Sequence, residues 1–162
     1  MKALERSLAA GVLAALAAVP MAAQTIRVGT LNKLGLVVAY YRSPTWAATL
    51  SAKKAELAQA KAANDTKKAQ ELEAWGGAQQ DLADRQLAGE APITNILEAL
   101  APAFAQVAGK AHVSIIVADL PFAEKNVETV DVTGMVMDWL GSDEKTRSMV
   151  NELIKDNGAP PR

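Results

Sequence analysis

The segment from Thr45 to Gln86 constrains this chain more than any other. It is built from Ala, Leu, Lys, Glu and Gln, all strong helix formers, with charges of both signs spread along it. Its large apolar residues are few: Trp46, Leu50, Leu57, Leu72, Trp75 and Leu82, with Leu87 just beyond. A helix so thinly furnished cannot serve as the core helix of a globule. It suits one limb of a narrow antiparallel hairpin, seamed by alanines and occasional leucines. The start is well marked in "SPTW", where Ser43 can accept from orphan backbone N–H groups and Pro44 lacks one such donor. Two turns could form the tip. Asn64-Asp65 is favoured over Gly76-Gly77 because it has both a helix stop and an N-cap. Pairing residues equidistant from either turn does not separate them. If the tip is Asn64-Asp65, each helical glycine costs about 1 kcal/mol.

Elsewhere the chain can build a core. "TIRVGT" reads as a short strand closed by Gly29 and Asn32. "LGLVVAYYR" suits either strand or helix, and its length and the helix start that follows favour helix. In "ITNILEALAPAFAQVAGKA", Ile93, Ile96, Leu97, Leu100, Phe104 and Val107 share one helical face. Pro102 should kink this helix, and Gly109 should end it. Strands follow at Val113 to Ala118 and Val127 to Val130. Asp131 is placed to cap a helix burying Val132, Met135, Val136, Trp139 and Leu140. Ser142 restarts a last helix with Met149, Val150, Leu153 and Ile154 as its apolar face. The expected fold class is α+β, with a long helical hairpin as a coiled-coil arm on a small base of about three strands and flanking helices.

The N-terminus reads as an export signal. Lys2 and Arg6 precede an apolar run from Leu8 to Val19, then Pro20 and small residues. That run is shorter than the roughly 20 residues a bilayer span needs, so no stable membrane insertion is expected. Cleavage after Ala23 would divide the chain into a signal peptide, 1–23, and one domain, 24–162. Within that domain, 24–43 and 111–162 form the base and 44–110 the helical arm. A periplasmic or secreted location follows. There is no cysteine, so no disulfide can stiffen the exported domain. With 17 Lys+Arg against 18 Asp+Glu, the chain has no electrostatic grip for nucleic acid or an anionic membrane.

Catalytic chemistry finds little support. Asp119, Glu124, Glu128 and Asp131 crowd together, but paired catalytic carboxylates need a cleft and a burial-raised pKa. These lie in or beside a turn, and Asp131 has a sufficient task as a cap. His112 is the only histidine and precedes a strand, as a surface or strand-edge group. No phosphate-binding loop, metal-ligand cluster or cofactor motif is present. An enzyme is not expected, nor a metal, nor a cofactor.

The order of elements resembles the Skp/OmpH family of exported chaperones. "TIRVGTLNK" is similar to that family's first strand, and "AGKAHVSIIVADLPFAEKNVETVDVTGMVMDWL" to its closing strand, strand and helix. The hairpin between them is similar in composition only. The resemblance implies a homotrimer whose sheets join into a base, with arms around a cavity that holds unfolded outer-membrane or envelope proteins without ATP. Trp46, Leu50, Leu57, Leu72 and Trp75 are then the candidate client-binding residues, or else hairpin seam. Two features depart from the family: limbs of only about 45 Å at 1.5 Å per residue, and a slightly acidic balance in place of a basic one. Independently of the family, three short strands and a thin hairpin bury little per subunit, and closed association would hide the sheet edges. A structural or partner-binding coiled-coil scaffold of the cell envelope is the rival reading. A small-ligand or lipid carrier, with a pocket under Phe104, Phe122 and Trp139, is a third.

Overall fold

The computed structural model describes residues 25–118, 120 and 122–156. The signal peptide expected at 1–23 and the Asp119 carboxylate lie outside them. The described chain is mixed in class, with six helices and one three-stranded sheet.

The sheet is assembled around its first strand. β1 (Ile26–Thr30) lies between β2 (Ile115–Val117) and β3 (Val127–Asp131), and both pairs are parallel. Val28 is opposite Ile115 on one side and Thr129 on the other. In-register parallel neighbours point to the same face, so Gly29, Ile116 and Val130 share one face and Ile26, Ile115 and Val127 the other. The first face meets the helices. A Cβ on Gly29 would sit 3.1 Å from Ile116 and 3.3 Å from Val132, so glycine permits that close approach. Arg27 closes the sheet's start, donating to the Ala111 carbonyl at 2.9 Å and to Glu128 at 3.1 Å.

α1 (Lys33–Tyr41) is the ambiguous "LGLVVAYY" run, and its caps decide for helix. Asn32 Oδ1 accepts from the Gly35 N–H at 2.7 Å, and the Asn32 N–H donates to Thr133 Oγ1. Leu36, Val37, Val38 and Ala39 are all buried, so α1 is enclosed on most sides. α2 (Pro44–Ala62) begins at the buried Ser43, whose Oγ accepts from the Trp46 N–H at 3.1 Å. The chain leaves α2 through Asn64, in the left-handed region at φ 57°, and Asp65 caps α3 (Thr66–Leu87) by accepting from the Lys68 N–H. Gly76 and Gly77 lie inside α3. α2 and α3 contact each other, and Lys61 pairs with Glu73 across the turn at 2.7 Å.

α4 (Thr94–Ala111) buries Ile96, Leu100, Ala103, Val107 and Ala111 along one stripe and runs through Pro102. It packs in the core, unlike α2 and α3, the two helices with no residue in the apolar cluster. Gly109 does not end α4. His112 does, in the left-handed conformation at φ 52°, with its N–H turned back to the Ala108 and Gly109 carbonyls.

α5 (Thr133–Trp139) and α6 (Glu144–Asp156) complete the body. Asp131 ends β3 rather than standing at the N-cap, which is Val132, but its Oδ1 still accepts from the Thr133 N–H at 2.8 Å. Val132, Val136, Met137 and Leu140 are buried; Trp139 points outward. For α6 the capping side chain is Asp143, not Ser142: its Oδ1 accepts from the Thr146 N–H at 2.8 Å. Thr146 Oγ1 also accepts from Arg42 Nε at 3.1 Å, tying α6 to the end of α1.

One buried amide joins three helices. Gln86, 3% exposed, donates through Nε2 to the Pro92 carbonyl and to Asn95 Oδ1, both at 2.6 Å. Its Oε1 accepts from the Tyr41 hydroxyl at 2.9 Å. Gln86→Ala strands these partners and should cost about 1–3 kcal/mol in urea unfolding; Tyr41→Phe, which removes one bond, should cost about 1 kcal/mol.

Asp143 sets an acid-range dependence. Hydrogen bonds from the Thr146 hydroxyl and N–H, aided by Arg42 and Lys145, hold its carboxyl below the ordinary range. A folded-state pKa below the unfolded one gives stability that is present above the unfolded value and lost as pH falls through the folded value. Asp143→Asn should therefore lower stability at neutral pH and flatten its decline below about pH 4, as read from unfolding midpoints across pH.

Candidate functional site

The helix break at Ser43 folds the chain so that residues before and after it meet. Trp46, in the first turn of α2, comes against both tyrosines at the end of α1. The Tyr41 and Trp46 rings are 5.1 Å apart and perpendicular at 88°, Tyr40 and Trp46 are 5.8 Å apart, and Tyr40 and Tyr41 are 5.2 Å apart at 74°. Edge-to-face contact at these distances suits the ring quadrupoles. Trp75 of α3 extends the group, 6.3 Å from Trp46. Burial, and then the neighbouring Tyr41, push the Tyr40 hydroxyl pKa up, so the Tyr40 phenol is neutral at physiological pH and acts as a packing group.

Beside these rings runs a half-open groove of about 350 Å³ between α1, α2, α3 and α6. Val38, Tyr41, Trp46, Leu50, Leu87 and Met149 supply its apolar lining. Arg42, Gln79, Gln80 and Asp84 supply the polar part. Gly76 also lines it, and a Cβ placed there would meet nothing within 4 Å.

Of the five candidate contact residues, Trp46 and Leu50 line this groove, and Trp75 joins it through the Trp46 ring. Leu57 and Leu72 lie nearer the α2–α3 turn. Leu72 is 7% exposed and buried like Ala60 and Ala69, so it presents almost no surface to a ligand; Leu57 is half-buried. Tyr40, Tyr41, Gly76 and the Gln79-Gln80 pair belong to the site without having been singled out. Adjacent tyrosines just before a strong helix start were the available signal for the first two.

The other candidates disperse. Phe104 lines a separate cavity with Leu97 and Ile116, Trp139 lies beside Val107 and Met135, and Phe122 is 75% exposed. No common pocket forms under these three. Glu128 pairs with Arg27, and Asp131 caps α5. Among the described residues no group of His, Asp and Glu is arranged to hold a metal, and no helix is long and apolar enough to cross a membrane.

The pairing of the two tryptophans is measurable. A double-mutant cycle with Trp46→Ala and Trp75→Ala, followed by urea unfolding, should give a coupling of about 0.5–1.5 kcal/mol. Compared with known protein families, curated proteins and solved structures, the chain matches none.

Proposed function

We propose that the chain is an exported, ATP-independent, holdase-like chaperone for unfolded outer-membrane or envelope proteins. In this reading α2 and α3 form a long helical hairpin arm of the Skp/OmpH kind, and three subunits enclose a cavity between their arms. Apolar segments of the client rest weakly and at several points on Trp46, Leu50, Leu57 and Trp75. No catalytic step and no cofactor is involved.

One observation carries the reading. The two longest helices, of 19 and 22 residues, lie outside the apolar cluster that holds the body together. Ordering them costs conformational entropy with little core burial in return, which fits helices retained for a task at their surface. The sheet supports self-association: parallel sheets are ordinarily covered on both faces, and here Ile26 and Ile115 on the far face remain 49% and 53% exposed.

The polar surface of α2 and α3, with ion pairs such as Lys53–Glu56, favours a second reading, a partner-binding envelope scaffold of the same shape. Two measurements separate them. Light scattering of the mature protein at low micromolar concentration should give about three times the chain mass. An unfolded outer-membrane protein diluted from urea should stay soluble in its presence, and lose that protection with Trp46→Ala and Leu50→Ala combined. A trimer that protects no unfolded client but captures one folded envelope protein would establish the scaffold instead.

A further inference from the structure

Gly76 is expensive where it stands. It interrupts α3 at mid-length, no turn uses it, and its backbone is ordinary helix. Nothing packs against the position either, since a Cβ would find open space. That open space belongs to the groove, whose opposite walls are Trp46 and Leu50 on α2 and Val38 and Tyr41 on α1. The neighbouring Gly77 is exposed, also meets nothing, and does not line the groove.

We propose that this groove receives one aromatic or large aliphatic side chain of an extended polypeptide, and that Gly76 is the specificity-determining residue that sets its depth. The proposal rests on the chaperone reading for its biological occupant, but the groove's chemistry argues for polypeptide in its own right. Its interior is aromatic and aliphatic, and about 350 Å³ is at the small end of ligand sites. Its rim balances one guanidinium, Arg42, against one carboxylate, Asp84, with the Gln79 and Gln80 amides between. Arg42 donates through Nε to Thr146, and Asp84 accepts from Gln80 Nε2 at 2.9 Å, so both rim charges are held in place. An anionic amphiphile would meet the carboxylate as well as the guanidinium. A polypeptide backbone is neutral and presents donors and acceptors side by side, which matches a rim of opposite charges and carboxamides. Aromatic side chains gain edge contacts with Trp46 and Tyr41 that aliphatic ones do not.

The test uses the mature full-length protein and blocked, uncharged eight-residue Gly/Ser peptides carrying a central Phe, Leu or Ser, titrated by calorimetry and by tryptophan emission. The Phe peptide should bind saturably and at least tenfold more tightly than the Ser peptide, with Leu between. Gly76→Leu should weaken Phe-peptide binding at least tenfold while its melting temperature stays level or rises, because leucine is the better helix former. Gly76→Ala should weaken binding less, and Gly77→Leu should leave it unchanged. Equal binding of the Phe and Ser peptides overturns the proposal, as does wild-type binding by both Gly76 variants. A response to a nonionic detergent below its micelle concentration, with none to any peptide, overturns it in favour of a lipid-like occupant. The two readings fail separately: protection of unfolded clients that is unaffected by Gly76→Leu removes the groove and leaves the chaperone, whereas Phe-selective binding without such protection removes the chaperone and leaves the groove.

Discussion

The burial of α1 is the constraint on which the other elements depend. Nine residues long, it contacts α2, α3, α5 and α6, and its central residues from Gly35 to Ala39 are buried. A helix so enclosed needs very close neighbours, and Gly35 supplies that closeness: a Cβ there would lie 2.8 Å from Val150 on α6. Its first turn is fixed from two directions, by its own Asn32 cap and by the Thr133 hydroxyl at the start of α5. Its last turn presents Tyr41 to α3 and Arg42 to α6. The sheet, by contrast, leaves Ile26 and Ile115 exposed on the face turned away from Gly29. The body is therefore a set of helices packed on α1 and α4, with a short parallel sheet along one side.

Much of the local structure was legible in the sequence because it is written in short-range chemistry. Ser43-Pro44 and Asn64-Asp65 act within three residues of themselves, so their helix starts could be read without knowing the fold. The stripe from Ile96 to Val107 was equally plain, because periodicity survives whatever it packs against. The errors have a common origin in near-equivalent alternatives. Ser142 and Asp143 are adjacent cap formers, and Asp143 prevails because its carboxylate faces Thr146 while Ser142 is turned into the body. Gly109 looked like a helix end, but His112 takes the left-handed conformation three residues later. Trp139 fell on the expected apolar face of α5, yet a seven-residue helix can bury only a narrow strip, and Val136 and Met137 occupy it.

The candidate site was less legible than the fold, for a different reason. Trp46, Leu50 and Trp75 stood out as large apolar residues in a polar helix, which is a property of composition. Their meeting with Tyr40 and Tyr41 depends on the angle between α1 and α2 at Ser43, and on α3 lying against α1. Neither is encoded in any single window. Gly76 shows the same limit. In the sequence a glycine pair suggests a turn, and only the arrangement of three other helices makes an absent side chain into the floor of a groove.

The Tyr41–Gln86 hydrogen bond has a consequence for how such a chain can vary. It joins positions 45 apart at the point where α2 and α3 meet the body, so the excursion between them is clasped at its root. The entropy of closing a loop grows only with the logarithm of its length, about 0.6 kcal/mol for each doubling. None of the excursion's residues belongs to the apolar cluster. In the proposed hairpin, whole helical turns inserted into or removed from α2 and α3 in matched numbers would leave the apolar cluster's residues untouched. On that reading, length is the dimension along which the chain is freest to diversify.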